Sequence, residues 1–304
     1  MKIYNEIQYA PIVVFAFNRL DLLQKTIESL LMNEEASLSD LHVYVDGPRE
    51  KNASEAQKVE EVRCFVKKIS GFKSLHWHFS EGNKGLGPSV IAGVTEVVNQ
   101  YGKVIVVEDD LVLAPNFLAY MNYGLDMYNS ESDVFSICGY SNRVSKPESY
   151  QYDSYFCVRS SSWGWATWKD RWDMIDWELM DWNSVERNKS MFNKWGGSDC
   201  FGMLDDWKKG KNKSWAIRFC YAQFINNKVS LFPLVSKVSN NGFNGDGTNC
   251  KKYNRFVHDF DNGVEKDFKF PAEISVNKSI RKDALSYHSI PIRIWSRLMY
   301  MLYR

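Results

Sequence analysis

Three consecutive carboxylates, Glu108-Asp109-Asp110, follow the apolar run Val104-Ile105-Val106-Val107 and precede Leu111-Val112-Leu113-Ala114-Pro115. Four β-prone apolar residues in a row predict a buried strand, which puts the acids at its end. Carboxylates held this close repel one another, and a fold keeps them together most readily where a cation neutralises the group. Hard oxygen ligands suit Mn2+ or Mg2+, above all when a substrate supplies phosphate oxygens. The competing reading is a solvated acidic turn.

Other chemistry-bearing residues stand at the ends of similar runs. Residues 12–17 form an apolar strand ended by Asn18-Arg19, and His42-Val43-Tyr44-Val45 ends in Asp46-Gly47-Pro48. Residues 75–79 form a third strand before the glycine-rich turn Glu81-Gly82-Asn83-Lys84-Gly85-Leu86-Gly87. Arg19 and Lys84 would meet phosphate charge. Asp46 would accept hydrogen bonds from a base or ribose, and the glycines, Gly85 among them, would let backbone approach a ligand closely. Taken singly, each has an ordinary reading as surface charge or turn former, and the glycine spacing is neither that of a Walker loop nor of a dinucleotide fingerprint.

Between these strands lie helical patterns: Leu22, Leu23, Ile27, Leu30 and Leu31; then Val59, Val62, Phe65, Val66 and Ile69; then residues 89–99. Strands alternating with helices predict an α/β fold with a mostly parallel sheet covered on both faces. Ligands bind such sheets beyond the carboxyl ends of the strands. That rule gathers Arg19, Asp46, Lys84 and the acidic triplet along one edge, a plausible nucleoside-diphosphate site.

The second half is less regular. Residues 135–141 read as a further strand. The stretch Ser160-Ser161-Ser162-Trp163-Gly164-Trp165-Ala166-Thr167-Trp168 is rich in tryptophan, which stacks on sugar faces. Gly164 and the serines predict a loop there, with Trp163 and Trp165 as the sugar platform rather than core. Asp205-Asp206-Trp207 precedes the basic loop Lys208-Lys209-Gly210-Lys211, residues 215–225 form a buried helix, and residues 240–247 are loop. The tail from residue 290 places apolar residues beside Arg293, Arg297 and Arg304, an amphipathic pattern that fits an anionic membrane surface, packing on the body or a dimer contact.

The 304 residues suffice for one large domain. Lys+Arg 38 against Asp+Glu 37 leaves a net charge of +1, so no bulk field points to nucleic acid. Six cysteines without a C-x-x-C pair argue against zinc or a disulfide framework and for a reducing compartment. Residues 1–8 are polar and the run 11–17 is short, so neither a signal peptide nor a spanning helix is expected. The expected location is cytoplasmic, peripheral at the inner face of the cell membrane if the tail engages lipid.

With these motifs in hand, the chain resembles the GT-A glycosyltransferases through residues 11–19, Asp46-Gly47, residues 82–87 and Glu108-Asp109-Asp110. More narrowly, it is similar to bacterial family 2-type sugar transferases related to N-acetylglucosaminyltransferase I. Trp163-Gly164-Trp165-Ala166-Thr167-Trp168, Met203-Leu204-Asp205-Asp206 and Ser214-Trp215-Ala216-Ile217-Arg218 resemble the bacterial group. The resemblance implies a nucleotide-sugar-binding half over 1–135, an acceptor-binding half over 136–282 and a tail over 283–304. It also implies Asp110 as metal ligand, Glu108 and Asp109 toward ribose and donor sugar, and Phe17, Arg19, Asp46, Lys84 and Gly85 as further donor contacts.

The implied reaction is inverting transfer of a hexose or N-acetylhexosamine from a nucleoside-diphosphate sugar, a UDP-sugar first, to a saccharide or lipid-linked acceptor in surface polysaccharide assembly. Asp206, with Asp205 beside it, is the first candidate for the base and Asp246 the second. In one departure, Asn stands where relatives would carry Asp in Gly242-Phe243-Asn244 and His near Asn249-Cys250, leaving His258 as a substitute metal ligand. The alternatives are a nucleotidyltransferase, which would need a Gly-rich basic signature where this chain has Asn18-Arg19-Leu20-Asp21, and a non-catalytic carbohydrate-binding protein, which would not need the acidic triplet.

Overall fold

The computed structural model describes residues 8–242, 255–256 and 258–302. The strands are β1 (Ile12–Ala16), β2 (Asp40–Val45), β3 (Ser74–Phe79), β4 (Lys103–Glu108), β5 (Leu111–Leu113), β6 (Val134–Cys138), β7 (Ser154–Cys157), β8 (Trp165–Trp168), β9 (Val229–Pro233) and β10 (Val238–Asn240). The helices are α1 (Leu20–Leu31), α2 (Ala53–Val66), α3 (Leu86–Tyr101), α4 (Phe117–Met127), α5 (Lys169–Trp172), α6 (Trp182–Arg187), α7 (Lys189–Gly196), α8 (Cys200–Lys208), α9 (Ala216–Ile225), α10 (Lys278–Ser286) and α11 (Ile290–Leu302).

Eight strands form one sheet in the order β3-β2-β1-β4-β8-β6-β9-β7, and β5 pairs with β10 in a small antiparallel ladder. The first four strands are parallel, so their carboxyl ends share one edge. This is the expected α/β class, a mainly parallel sheet flanked by helices. Alternation along each strand shows why both faces are covered. Ile12, Val14, Ile105 and Val107 join α1, α2 and α4 in one core, while Val13, Phe15, Val104 and Val106 join α3 and α9 in another. Each such side chain removed from water contributes roughly 1.5–3 kcal/mol.

The Trp-rich segment departs from the expected loop. Residues Trp165–Trp168 are β8, inserted antiparallel beside β4 and paired on its other edge with β6. Trp165 is 1 % exposed and stacks on Trp215 and Trp172, so it is core and offers no face to a sugar. Leu111–Leu113, directly after the acids, is a strand of the small ladder.

Candidate functional site

The carboxyl edge of β1 to β4 brings the sequence candidates together. Glu108 ends β4, and Asp109 and Asp110 form a tight turn into β5. Two buried hydroxyls of α1 hold that strand: Thr26 Oγ1 donates to the Leu111 carbonyl (2.8 Å), and Ser29 Oγ accepts from the Leu113 N–H (3.1 Å). From the other side, β10 lies along β5, the Asn241 N–H donates to the Asp110 carbonyl (2.8 Å), and Gly242 is so close that a Cβ there would meet Asp110 Oδ2 at 2.5 Å. Polar residues within an apolar helix pattern, and a glycine 132 residues from Asp110 by these numbers, gave no sequence signal of this role.

Arg19 is the countercharge of the turn. Its Nη2 donates to Asp109 Oδ1 and its Nη1 lies 3.1 Å from Asp110 Oδ2. Burial works against the guanidinium charge, but Asp109 and Asp110 outweigh it and hold its pKa above the ordinary value. One guanidinium stands against three carboxyls. Burial, then Asp110 and Asp109, push the Glu108 carboxyl up to about 8. Asp110 Oδ1 is buried and, among the described residues, has no hydrogen-bond partner. An orphaned carboxylate oxygen in a surplus of negative charge suits a hard divalent cation such as Mn2+ or Mg2+. Among the described residues, however, no group of three or more His, Cys, Asp or Glu is placed to hold one, so a bound diphosphate would have to supply further donors.

Asp46 also has a local structural task. Its Oδ1 accepts from the Gly47 and Lys84 N–H groups, both at 2.9 Å, and its Oδ2 from the Gly85 N–H at 2.8 Å. The carboxylate is a clasp that fixes the glycine turn where α3 begins. Gly47 packs so tightly that a Cβ would meet the Glu81 carbonyl oxygen at 2.6 Å, and at Gly87 a Cβ would meet the Lys213 carbonyl oxygen at 2.2 Å. The N-terminus of the 16-residue helix α3 is thereby presented at the sheet edge, an anion-attracting feature beside the acidic turn. Lys84 is exposed there, and Phe17 is half-buried under the Arg49 guanidinium at 5.4 Å.

Trp163 lies on the same edge, because β8 runs antiparallel to β4 with Trp165 opposite Val106. It meets the rings of Tyr140 (4.5 Å) and Phe256 (5.5 Å) edge-on. All three line a cavity of about 200 Å3 together with Asn142, Ser161 and His288. Aromatic walls with interspersed hydroxyl and amide groups suit a sugar. The His258 ring lies edge-on to Tyr140, 5.4 Å between centroids.

Asp205 and Asp206 occupy the last turns of α8, where they pair with Lys209 (2.5 Å) and Lys211 (3.4 Å). Met203 of the same helix lines the cavity, and Asp206 follows it by one turn. Asp246 lies outside the described residues, as do Asn244, Asn249 and Cys250. The other five cysteines are free.

No protein-family model and no curated protein matches the chain. Solved structures similar to it include a mannosyltransferase from Pyrobaculum calidifontis in complex with GDP-Man and Mn2+, 10% identical, covering 56% of this chain and 48% of that one at a TM-score of 0.35. A UDP-glucose pyrophosphorylase complexed with UDP-glucose is 12% identical over 74% of this chain and 90% of that one, at 0.37. TarS of S. aureus is 14% identical over 47% and 23%, at 0.29. The chain spans about half the length of the mannosyltransferase.

Proposed function

We propose that the chain is a metal-dependent, inverting glycosyltransferase of the GT-A kind that uses a nucleoside-diphosphate sugar, a UDP-sugar first, and a saccharide or lipid-linked acceptor of surface polysaccharide assembly. The observation that carries the reading is the acidic turn: three carboxyls, one arginine and a buried, unpartnered Asp110 Oδ1 at the sheet edge where α3 begins. Residues 1–135 would hold the donor and residues 136–282 the acceptor, with the amphipathic tail 283–304 adding Ala284, Leu285 and His288 to the wall of the acceptor cavity.

Asp110, with its neighbours in the turn, would hold the Mn2+ or Mg2+. The cation supplies neutralising charge for the departing diphosphate. The chain's own groups do the rest. Arg19 and the N-terminus of α3 face the negative phosphates, and the glycine turn clasped by Asp46 lets backbone close on them. Trp163 and the cavity beside it hold the acceptor ring and exclude water. A carboxylate on the far side of the sugar must take the acceptor hydroxyl's proton within hydrogen-bond reach. Asp206 is the candidate, with Asp205 beside it and Asp246 the second choice.

Asp206→Asn is accordingly expected to keep nucleotide binding within about twofold while lowering transfer by roughly 100-fold or more. Rates measured by release of nucleoside diphosphate, alongside calorimetric binding, check this; retained transfer moves the base to Asp246. A screen of nucleotide sugars by mass spectrometry tests the function itself. Release of pyrophosphate in place of a transferred sugar would identify a nucleotidyltransferase, and sugar binding without metal-dependent nucleotide binding would identify a lectin.

A pH dependence follows from Glu108. With its carboxyl raised to about 8 by burial and by Asp110 and Asp109, it carries a proton at neutral pH before any cation arrives. Cation binding favours the ionised form, so the proton leaves and apparent affinity rises with pH. Mn2+-dependent binding of UDP should tighten by up to about tenfold per pH unit below 8 and level off above it. Calorimetry across that range checks the slope, and a flat profile removes Glu108 from the site.

A further inference from the structure

Helix α11 presents most of its apolar side chains to solvent, with only Ile292 and Met299 half-buried among its described residues. The side toward the body carries Ser296, fully buried, and Arg293, whose Nη1 donates to Ser198 Oγ at 3.1 Å. The side toward solvent carries Ile290, Ile294, Trp295, Leu298, Met301 and Leu302, each between 47 and 77 % exposed. A continuous apolar stripe facing water, at i, i+4, i+8 spacing, costs free energy unless something covers it.

Charge identifies the cover. Residues 278–304 contain six bases, Lys278, Arg281, Lys282, Arg293, Arg297 and Arg304, against the single acid Asp283, although the whole chain is only +1. The Asp283 carboxylate is engaged by the Ser145 N–H at 2.9 Å. Two copies meeting through α11 would oppose arginines with no acid in the helix to pair them. At 13 residues the helix is about 20 Å long, short of the roughly 30 Å of a bilayer's apolar layer, so it would lie in the plane of a surface. Among the described residues no helix is long and apolar enough to cross a membrane.

We infer that α11 is a docking element for an anionic lipid surface, inserting the Ile290-to-Leu302 stripe among acyl chains while the exposed Arg297 meets lipid headgroups. Arg281 and Arg293 are held to the body by the Trp195 carbonyl and Ser198. The placement has a consequence for the proposed reaction. Ala284, Leu285 and His288 line the cavity beside Trp163, and α11 begins two residues after His288. Docking therefore sets the proposed acceptor cavity next to the membrane plane, where a lipid-carried acceptor would be delivered.

The full chain should float with vesicles containing about one-third phosphatidylglycerol and stay behind with pure phosphatidylcholine, with binding weakened by salt. The double variant I294S/L298S, altering only exposed positions, should lose about a hundredfold in vesicle affinity, and Arg297→Gln about fivefold. Both should keep the parent melting temperature. Transfer to a short soluble acceptor should be unchanged, so failure of docking is distinguishable from failure of the enzymatic reading. Equal binding to neutral vesicles, no loss in I294S/L298S, or a dimer in sedimentation that the double variant dissolves would each overturn the proposal, the last by assigning the stripe to a second copy of this chain.

Discussion

Asp110→Asn is expected to abolish metal-dependent donor use while leaving the fold in place. The substitution keeps shape and removes one negative charge from a turn where three carboxyls face one arginine. It converts a carboxylate oxygen that is buried and unpartnered into an amide group with little to offer a hard cation. Electrostatic stabilisation of a leaving diphosphate contributes several kcal/mol, so turnover with Mn2+ should fall roughly a thousandfold. UDP affinity should lose its dependence on Mn2+ in the same variant. Stability should change little or rise, because less like charge is confined. Activity near that of the parent protein, with the metal dependence intact, would falsify the assignment of Asp110.

Much of that site was legible in the chain before the fold. The runs ending at Phe17 and Glu108 are apolar because their strands are covered on both faces, whereas the edge strand ending at Phe79 is part-exposed. The edge rule for parallel sheets then assembles Arg19, Asp46, Lys84 and the acidic turn. Three features were not legible, each for a long-range reason. The Trp165–Trp168 segment has the composition of a ligand platform, but its burial comes from pairing with β4 and β6, whose residues lie tens of positions away. The Asp46 carboxylate matched a ligand-binding position, while three backbone donors, two of them 38 and 39 residues along the chain, engage it. The hydroxyls of Thr26 and Ser29 interrupt an apolar helix pattern without announcing that they clamp the strand after the acids.

The largest stability effect is expected away from the acidic turn, at Asp199. Its carboxylate receives Arg159 Nη1 at 2.7 Å and Nη2 at 3.3 Å, and both side chains are nearly buried, 8 and 12 % exposed. Asp205 and Lys209 make a contact of similar length, 2.5 Å, yet they sit in solvent at 28 and 56 %. Distance therefore does not decide between the pairs; desolvation does. Asp199→Ala leaves a buried guanidinium uncompensated and should cost about 3–5 kcal/mol, lowering the melting temperature by roughly 8–15 °C. Asp205→Ala should cost less than about 0.5 kcal/mol. Adding Arg159→Met to Asp199→Ala should restore part of the loss, because the second change removes the stranded charge.

Acid should reproduce the effect in the parent protein. Burial alone would raise the Asp199 carboxyl, but Arg159 outweighs it and holds the group well below the usual carboxylate range. Its contribution is thus complete above the ordinary value of 3.8 and is lost as pH falls below it. His288 Nδ1 lies 3.7 Å from Asp199, too far for a hydrogen bond, and burial followed by Arg159 holds the imidazole down to about 4. The neutral ring is the folded form, so its contribution is complete above 6.5 and is lost between 6.5 and about 4. The parent protein should therefore lose melting temperature relative to His288→Gln as pH falls from 6.5 toward 4, while the loss below pH 4 stays in both. The difference between the two proteins isolates His288 from His42, which burial also holds down to about 4, and from Glu108 and Asp109, whose raised carboxyls act in the opposite sense. A decline of unchanged shape in His288→Gln would place the acid sensitivity elsewhere in the chain.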